Sequence, residues 1–582
     1  RTDIIDAALG YLPVNGSRYG QCGKLQIIAA MIGKSGAGKT AAMAMVASRY
    51  AQELKDAGDD RALIVRFCGT SPGSLTGIQL LRSMGRQILF HFKIPEEHFP
   101  NLMSTDFATV KAEFMSIFEK NDHVRATLIV DSLDQLTDDD MARSQVSIFA
   151  LEESNRNRLF RANCHVIVSM LPDERDDSGK YIYCYGCHTR MIENSVPEIE
   201  VPLLSPGKEV TRFAKNVLAQ RNRTLTDAQW DIFNESIVKE PTALYVALSM
   251  RKVATWTSSD LPEQNTLAAG VTPLISQIFD DIERGYGSVL TRTALGLITF
   301  AKNGISDGEM EDLLSLDEKV LDFVFQYSSP NIRRLPSHVW LRLRFELTGL
   351  VAERGGGNIG WYHRQLWEEA TRRYSEDIEE KERILRLLGL YFGDQFDRAM
   401  IGERKMKTQP MILNDHPVWH GDVELNNRHI IEAAAAWSAC GALSAENTIA
   451  AAKEMCSMET ITAYCVAGQG LALNRYLLDL AESLQGIPLF STEPRLMEEE
   501  QVARDTITQY SLWLRIDITF ILENPRERVL EFALAHSSAE HAPHRHATAV
   551  AKWALKKLKP ASIVDTTDEP HLWSLGMSLV KM

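Results

Sequence analysis

Over residues 1–205, short and almost wholly apolar runs alternate with amphipathic stretches. Leu25–Ile32, Ala62–Phe67, Ala126–Val130 and His165–Met170 are rich in Ile, Val and Leu and do not alternate strictly with polar residues. Such runs suit strands buried on both faces of a parallel sheet. Between them, Thr40–Ala57 and Gly77–Phe92 carry apolar residues at helical spacing. Strand and helix in alternation predict a doubly wound α/β domain over residues 1–205.

The pattern changes after Pro202. Residues 206–287 read as helical throughout. Over 288–375 a helix is expected at Ser288–Ala301, and the capping box Ser306-Asp307-Gly308-Glu309 opens a second. A third helix covers Glu318–Tyr327, and strands Gly349–Ala352 and Ile359–Tyr362 flank a glycine turn at Gly355–Gly357. Three helices followed by a hairpin form a winged-helix pattern. Residues 376–560 are helical again, with Ala-rich stretches at Ala433–Ala436 and Ala450–Ala452, and residues 561–582 read as a linker. No repeat period or long low-complexity tract interrupts this order.

Composition narrows the function. At 582 residues the chain has room for about four domains. Its net charge of −14 argues against a chain whose main task is gripping phosphate backbones, which needs clustered Lys and Arg. No apolar run approaches the ~20 residues that span a bilayer. Eight cysteines are few for a disulfide scaffold, which points to a reducing, cytoplasmic setting. The chain opens on Arg1 without a signal peptide and reads as an internal piece of a longer protein.

The clearest chemistry lies at Gly33, Lys34, Ser35, Gly36, Ala37, Gly38, Lys39, Thr40 and Ala41. The first eight match G-x-x-x-x-G-K-[ST] between an apolar strand and a helix, the context that a phosphate-binding loop requires. The glycines let several N–H groups point at one phosphate, and the helix terminus adds positive potential. Lys39 is expected to reach the β- and γ-phosphates, and the Thr40 hydroxyl to complete a Mg²⁺ shell. Downstream, Leu128-Ile129-Val130-Asp131-Ser132-Leu133-Asp134 is an apolar strand ending in two carboxylates. Asp131 would hold Mg²⁺ directly or through water, and Asp134 would orient an attacking water.

Together these two elements resemble the NACHT group of STAND-type signalling NTPases. Other stretches are similar to the same family: Arg66–Ser71 after the second strand, Val166–Pro172 as a sensor strand containing Ser169, and Glu240–Leu244. Further on, Leu314–Asp317, Arg333–Pro336 and Trp361–Gln365 resemble the winged-helix part of NACHT and WD-repeat proteins, and Met455–Leu480 the helical segment that follows there. Telomerase-associated and nephrocystin-3-like proteins share parts of this layout. The resemblance implies an α/β P-loop NTPase (1–205), a helical lid (206–287), a winged helix (288–375) and an all-α C-terminal domain (376–560). It implies that Pro241 abuts the adenine and that His363 contacts the β-phosphate of ADP. It also implies protein partners, self-assembly on activation, and ATP or ADP with Mg²⁺ as cofactors. One departure is that Met170-Leu171-Pro172-Asp173 follows Ser169 where many relatives carry an arginine, and Arg175 is the nearest substitute. A slow switch follows more readily than fast hydrolysis.

Two rival readings stay open: an AAA-like ATPase motor and a nucleic-acid-associated scaffold. The second sits poorly with the acidic balance, although Arg333, Arg334, Arg342 and Arg344 flank the winged unit. Cys184-Tyr185-Gly186-Cys187-His188 matches the c-type haem attachment pattern but sits inside an ATPase-like domain of cytosolic type, zinc there with Cys164 and His165 fits no standard spacing, and His536, His541, His544 and His546 cluster in a connector, so haem and metal are set aside.

Overall fold

A computed structural model describes residues 2–14, 28–69, 76–136, 164–175, 179, 187–205, 207–220, 222–260, 265–327, 334–353, 357–393, 427–523 and 528–529. The chain divides into two compact units, residues 1–387 with 400–420, and residues 388–399 with 421–582.

The first unit begins with α1 (Thr2–Leu9), β1 (Ile28–Ile32), α2 (Lys39–Ala57), β2 (Ala62–Phe67), α3 (Gly77–His91), α4 (Phe107–Lys120), β3 (Ala126–Asp131), β4 (Cys164–Met170), α5 (Cys187–Glu193) and β5 (Glu198–Glu200). The five strands form one parallel sheet in the order β2-β3-β4-β1-β5, so β4 separates β1 from β3. Alternate side chains feed two cores. Ile28, Ala30, Ile64, Leu128, Val130, Val166 and Val168 pack with residues of α3, α4 and α5. Ala29, Met31, Ile129 and Ile167 pack with residues of α1 and α2. A sheet covered on both faces is why its strands read as continuous apolar runs. The expected strands are present, with ends moved by a residue or so; Leu25 to Ile27 lie outside the described residues. The edge strand β5 escapes a hydrophobicity reading because Ile199 is its one buried residue.

Next come α6 (Lys208–Gln220), α7 (Asp227–Ile237), α8 (Ala243–Val253) and α9 (Val271–Tyr286). Thr226 and Gln229 form a capping box at α7, and the Thr242 side chain caps α8 by accepting from the Tyr245 N–H. Then follow α10 (Ser288–Phe300), α11 (Asp307–Leu316), α12 (Glu318–Val324), α13 (Ser337–Glu346), an antiparallel hairpin of β6 (Val351–Glu353) and β7 (Ile359–Trp361), and α14 (Arg364–Ser375). The expected capping box forms, with Ser306 and Glu309 bonding reciprocally at α11. The additional helix α13 buries only Trp340 and Leu343, too narrow an apolar stripe to stand out from its arginines. Helix α15 (Ile378–Phe392) crosses from the first unit into the second.

The second unit adds α16 (Asn427–Cys440), α17 (Ala445–Met455), α18 (Met458–Val466), α19 (Gly470–Leu484) and α20 (Pro494–Glu523). Trp437 and Tyr464 are fully buried there, and the Tyr464 hydroxyl donates to the Ile431 carbonyl at 3.0 Å.

Candidate nucleotide-binding site

The parallel register brings the carboxyl ends of β1, β3 and β4 to one edge, with Met31 level with Ser169. The chain leaves β1 through Gly33, where a Cβ would meet the Val201 carbonyl oxygen at 2.8 Å. Gly36 and Gly38 take left-handed conformations, φ 72° and 96°, which lets the loop curl before α2. Helix α2 starts directly after Gly38, which supplies no side-chain cap, so its first-turn N–H groups face the loop. Such a terminus favours an anion. Lys39 is buried, and its Nζ donates to the Gly33 carbonyl at 2.6 Å and the Lys34 carbonyl at 3.1 Å. Lys34, Thr40 and Ala41 are exposed, with Ser35 half-buried and Ala37 buried.

Asp131 ends β3 and is buried. Its Oδ1 accepts from the Ser169 hydroxyl at 2.5 Å and its Oδ2 from the Ser132 hydroxyl at 3.1 Å. Burial pushes its carboxyl above the ordinary range; hydrogen bonds from Ser169, Thr40 and Ser132 oppose the rise, and Asp134 adds to it. Ser132 adopts φ 59°, and its N–H donates to Ser169 Oγ at 2.8 Å, so Ser169 ties β4 to the turn after β3. A hydroxyl beside a buried carboxylate is a hard oxygen set that suits Mg²⁺, and an uncapped helix with a buried ammonium suits phosphate. Asp134 lies on a short 3₁₀ turn, Leu133–Gln135, and its Oδ2 accepts from Gln135 Nε2 at 3.2 Å.

Segments from outside the sheet approach this edge. The Leu244 N–H donates to the Gly36 carbonyl at 3.1 Å, and a Cβ on Gly36 would meet Leu244 Cβ at 3.0 Å. Pro241 precedes this contact, its carbonyl accepting from the Leu204 N–H at 2.9 Å. His363 caps α14, its Nδ1 accepting from the Gln365 N–H at 3.3 Å. Burial, then the charges of Lys39 and Arg364, lower the His363 imidazole to about 4, so it is neutral at pH 7. Among the described residues the buried Gln365 Oε1 has no hydrogen-bond partner, and it lies 3.6 Å from where a Gly36 Cβ would stand. Arg364 Nη1 lies 3.8 Å from Asp134 Oδ2.

The structure therefore brings together the loop, Thr40, Asp131, Asp134, Ser169 and His363. It adds Leu244 and Gln365, whose residue types gave no sign of their proximity to Gly36. Arg175 is exposed, with Nη1 donating to the Gly179 carbonyl at 3.3 Å. Cys164 and Cys187 are buried in the sheet core, His165 faces Arg61 at 3.4 Å, and His188 pairs with Glu198 at 2.9 Å. Among the described residues no three His, Cys, Asp or Glu side chains gather as a metal cage. Cys184, Arg333 and the four C-terminal histidines lie outside the described residues.

A glycine-curled loop opening a helix, with a hydroxyl–carboxylate pair at the carboxyl ends of a doubly wound parallel sheet, defines a P-loop NTPase. The family resemblance is matched by known proteins. The chain is 28% identical over 403 residues to NACHT and WD repeat domain-containing protein 2 of Homo sapiens, covering 68% of this chain and 22% of that protein. It is 25% identical over 421 residues to NACHT domain- and WD repeat-containing protein 1 of Mus musculus, covering 69% and 25%. It thus spans a quarter or less of these relatives' length. No family model matches the chain. The structure of the Aeropyrum pernix ORC1 protein in complex with DNA aligns at a TM-score of 0.28 and 12% identity, over 65% of this chain and 91% of that one, too slight a likeness to bear on fold or ligand. Among the described residues no helix is long and apolar enough to cross a membrane.

Proposed function

We propose that the chain is a STAND-type switch and assembly scaffold that binds ATP or ADP with Mg²⁺ and hydrolyses NTP slowly. The observation that carries this reading is the convergence of Leu244, His363, Arg364 and Gln365 on the phosphate loop and the acid behind it. None of the four belongs to the sheet domain, so the loop's contents bear on how residues 206–375 sit against it. In this reading residues 206–287 act as lid and 288–375 as a winged helix.

Lys39 and the first-turn N–H groups of α2 would hold the phosphates, and Thr40 and Asp131 the Mg²⁺. When bound, the nucleotide supplies the phosphate charge that distinguishes ADP from ATP. Ser169 keeps Asp131 turned toward Thr40. Asp134 is the acceptor placed to orient water. Neutral His363, next to Lys39, accepts from the Gln365 N–H at Nδ1, so its Nε2–H would be the donor that bridges the winged unit to a β-phosphate in a closed form. A switch of this kind needs differential affinity of its two states for the two nucleotides, and a contact made only when closed provides it.

The test is the nucleotide that co-purifies with the full chain, followed by size-exclusion profiles after exchange into ADP or ATP. Retained ADP and ATP-dependent assembly support the switch. Sustained turnover above ~1 s⁻¹, with no change of size between nucleotides, would replace it with a motor.

A further inference from the structure

We infer that Arg364 is a brake on the second acid of the site: the closed chain engages Asp134 through Arg364, so closure and hydrolysis exclude one another. This rests on the switch reading and concerns the regulation of the same site. Arg364 and Asp134 are 230 residues apart in sequence, yet their side chains meet at 3.8 Å with 15% and 4% exposure. Screening by water is correspondingly weaker than at a surface ion pair.

Both sides of the contact are organised. On α14, Arg364 Nε donates to Glu368 Oε1 at 2.9 Å, one turn along the same helix, which leaves Nη1 toward Asp134. On the sheet side, Asp134 is fixed by its 3₁₀ turn, and Oδ2, the oxygen nearest Arg364, already accepts from Gln135 Nε2. A carboxylate oxygen facing two donors has fewer lone pairs left to accept a water proton. The arginine also faces the acid while its Nε is spent on Glu368, an arrangement that suits restraint of the carboxylate better than service to a transferred phosphate. At 3.8 Å the contact is longer than a charge-assisted hydrogen bond, so opening can release it. Released, Asp134 keeps Gln135 and can accept from water. Arg364 is therefore a positioning residue, acting through Asp134.

The experiment is a double-mutant cycle in the full chain, with Arg364→Gln and Asp134→Asn alone and together, read by the dissociation rate of a fluorescent ADP. Single-turnover ATP hydrolysis is followed alongside in the Asp134-containing chains. Removing the pair should speed ADP release roughly three- to tenfold in Arg364→Gln. The same substitution in the Asp134→Asn background should change release by no more than about twofold. Single-turnover hydrolysis should rise in Arg364→Gln, and Arg364→Lys, which keeps the charge, should recover much of the parent behaviour. Equal effects of Arg364→Gln in both backgrounds overturn the brake, as does slower hydrolysis, which would make Arg364 an aid to the transition state. A parent chain that takes up no ADP sinks switch and brake together. A parent that binds ADP but gives an additive cycle sinks the brake alone.

Discussion

Lys39 shows at the scale of one residue how the loop is organised. Its ammonium is buried and bonded to two carbonyls of its own turn, so the charge sits where a phosphate would meet it. Lys39→Ala removes that charge from a partly desolvated site and should abolish ADP binding by calorimetry; unchanged affinity would refute the phosphate-loop assignment. Asp131→Asn should chiefly weaken Mg²⁺-dependent affinity and Asp134→Asn chiefly slow hydrolysis, and equal losses of Mg²⁺-free ADP binding would cancel that division. His363→Ala removes a proposed hydrogen bond to a charged phosphate, worth roughly 1.5–3 kcal/mol, and should speed ADP release about 10–150-fold while the loop still binds. An unchanged off-rate would leave His363 as a helix cap only. Its titration gives a further expectation. The folded pKa of about 4 lies below the unfolded value of 6.5, so between them the unfolded chain holds a proton that the folded chain lacks. Nucleotide-free stability is then full above pH 6.5 and declines as pH falls toward 4, by at most about 3 kcal/mol from this group. Urea titrations at neutral and acid pH should show a smaller acid loss in His363→Gln; parallel losses would contradict a buried neutral imidazole.

Between elements, the contacts around α9 and α14 show what one sequence conceals. Arg373 Nε donates to Glu283 Oε1 at 2.9 Å and Nη2 to Asp280 Oδ1 at 2.6 Å, and the Tyr374 hydroxyl donates to Glu283 at 3.3 Å. Arg292 on α10 lies 3.7 Å from the same glutamate and donates to Glu380 on α15 at 2.8 Å. Burial, reinforced by Glu283, pushes the Tyr374 phenol well above its usual range. Removing one member leaves the others poorly satisfied, so Glu283→Ala should cost about 2–4 kcal/mol in urea unfolding; a loss under about 0.5 kcal/mol would show the network to be ornamental. In the second unit a Cβ on Gly389 would meet the Trp437 ring at 2.5 Å, and Gly389→Ala should destabilise by about 1–3 kcal/mol in thermal or urea unfolding. Helices, caps and double-faced strands were legible because each rests on local periodicity or on a box of four residues, as at Ser306–Glu309. The curl of the loop was legible because Gly36 and Gly38 mark local left-handed turns of its own backbone. The meeting of Arg373 with Glu283, or of Gln365 with Gly36, was not, since no local pattern records which distant surface a polar side chain will face. Helix α13 and β5 were missed for a different reason: too few of their residues are buried to write a period.

For the whole molecule, the proposed switch makes assembly depend on nucleotide identity, and the expected readout is a larger species with ATP than with ADP by light scattering at equal concentration. A single size under both conditions would confine the chain to nucleotide binding. The sheet carries a consequence of another kind. It is one wall between two separate cores, so neighbouring residues of a strand answer to different helices. Ile167 faces the side of Met43, Val46 and Tyr50, whereas Val168 faces that of Met84 and Ile88. In a genetic selection, compensating changes for Ile167→Ala should therefore arise among the first group and those for Val168→Ala among the second. Two adjacent codons would then have suppressor sets that do not overlap, and the lineage of this domain would accumulate core substitutions in two independent ledgers.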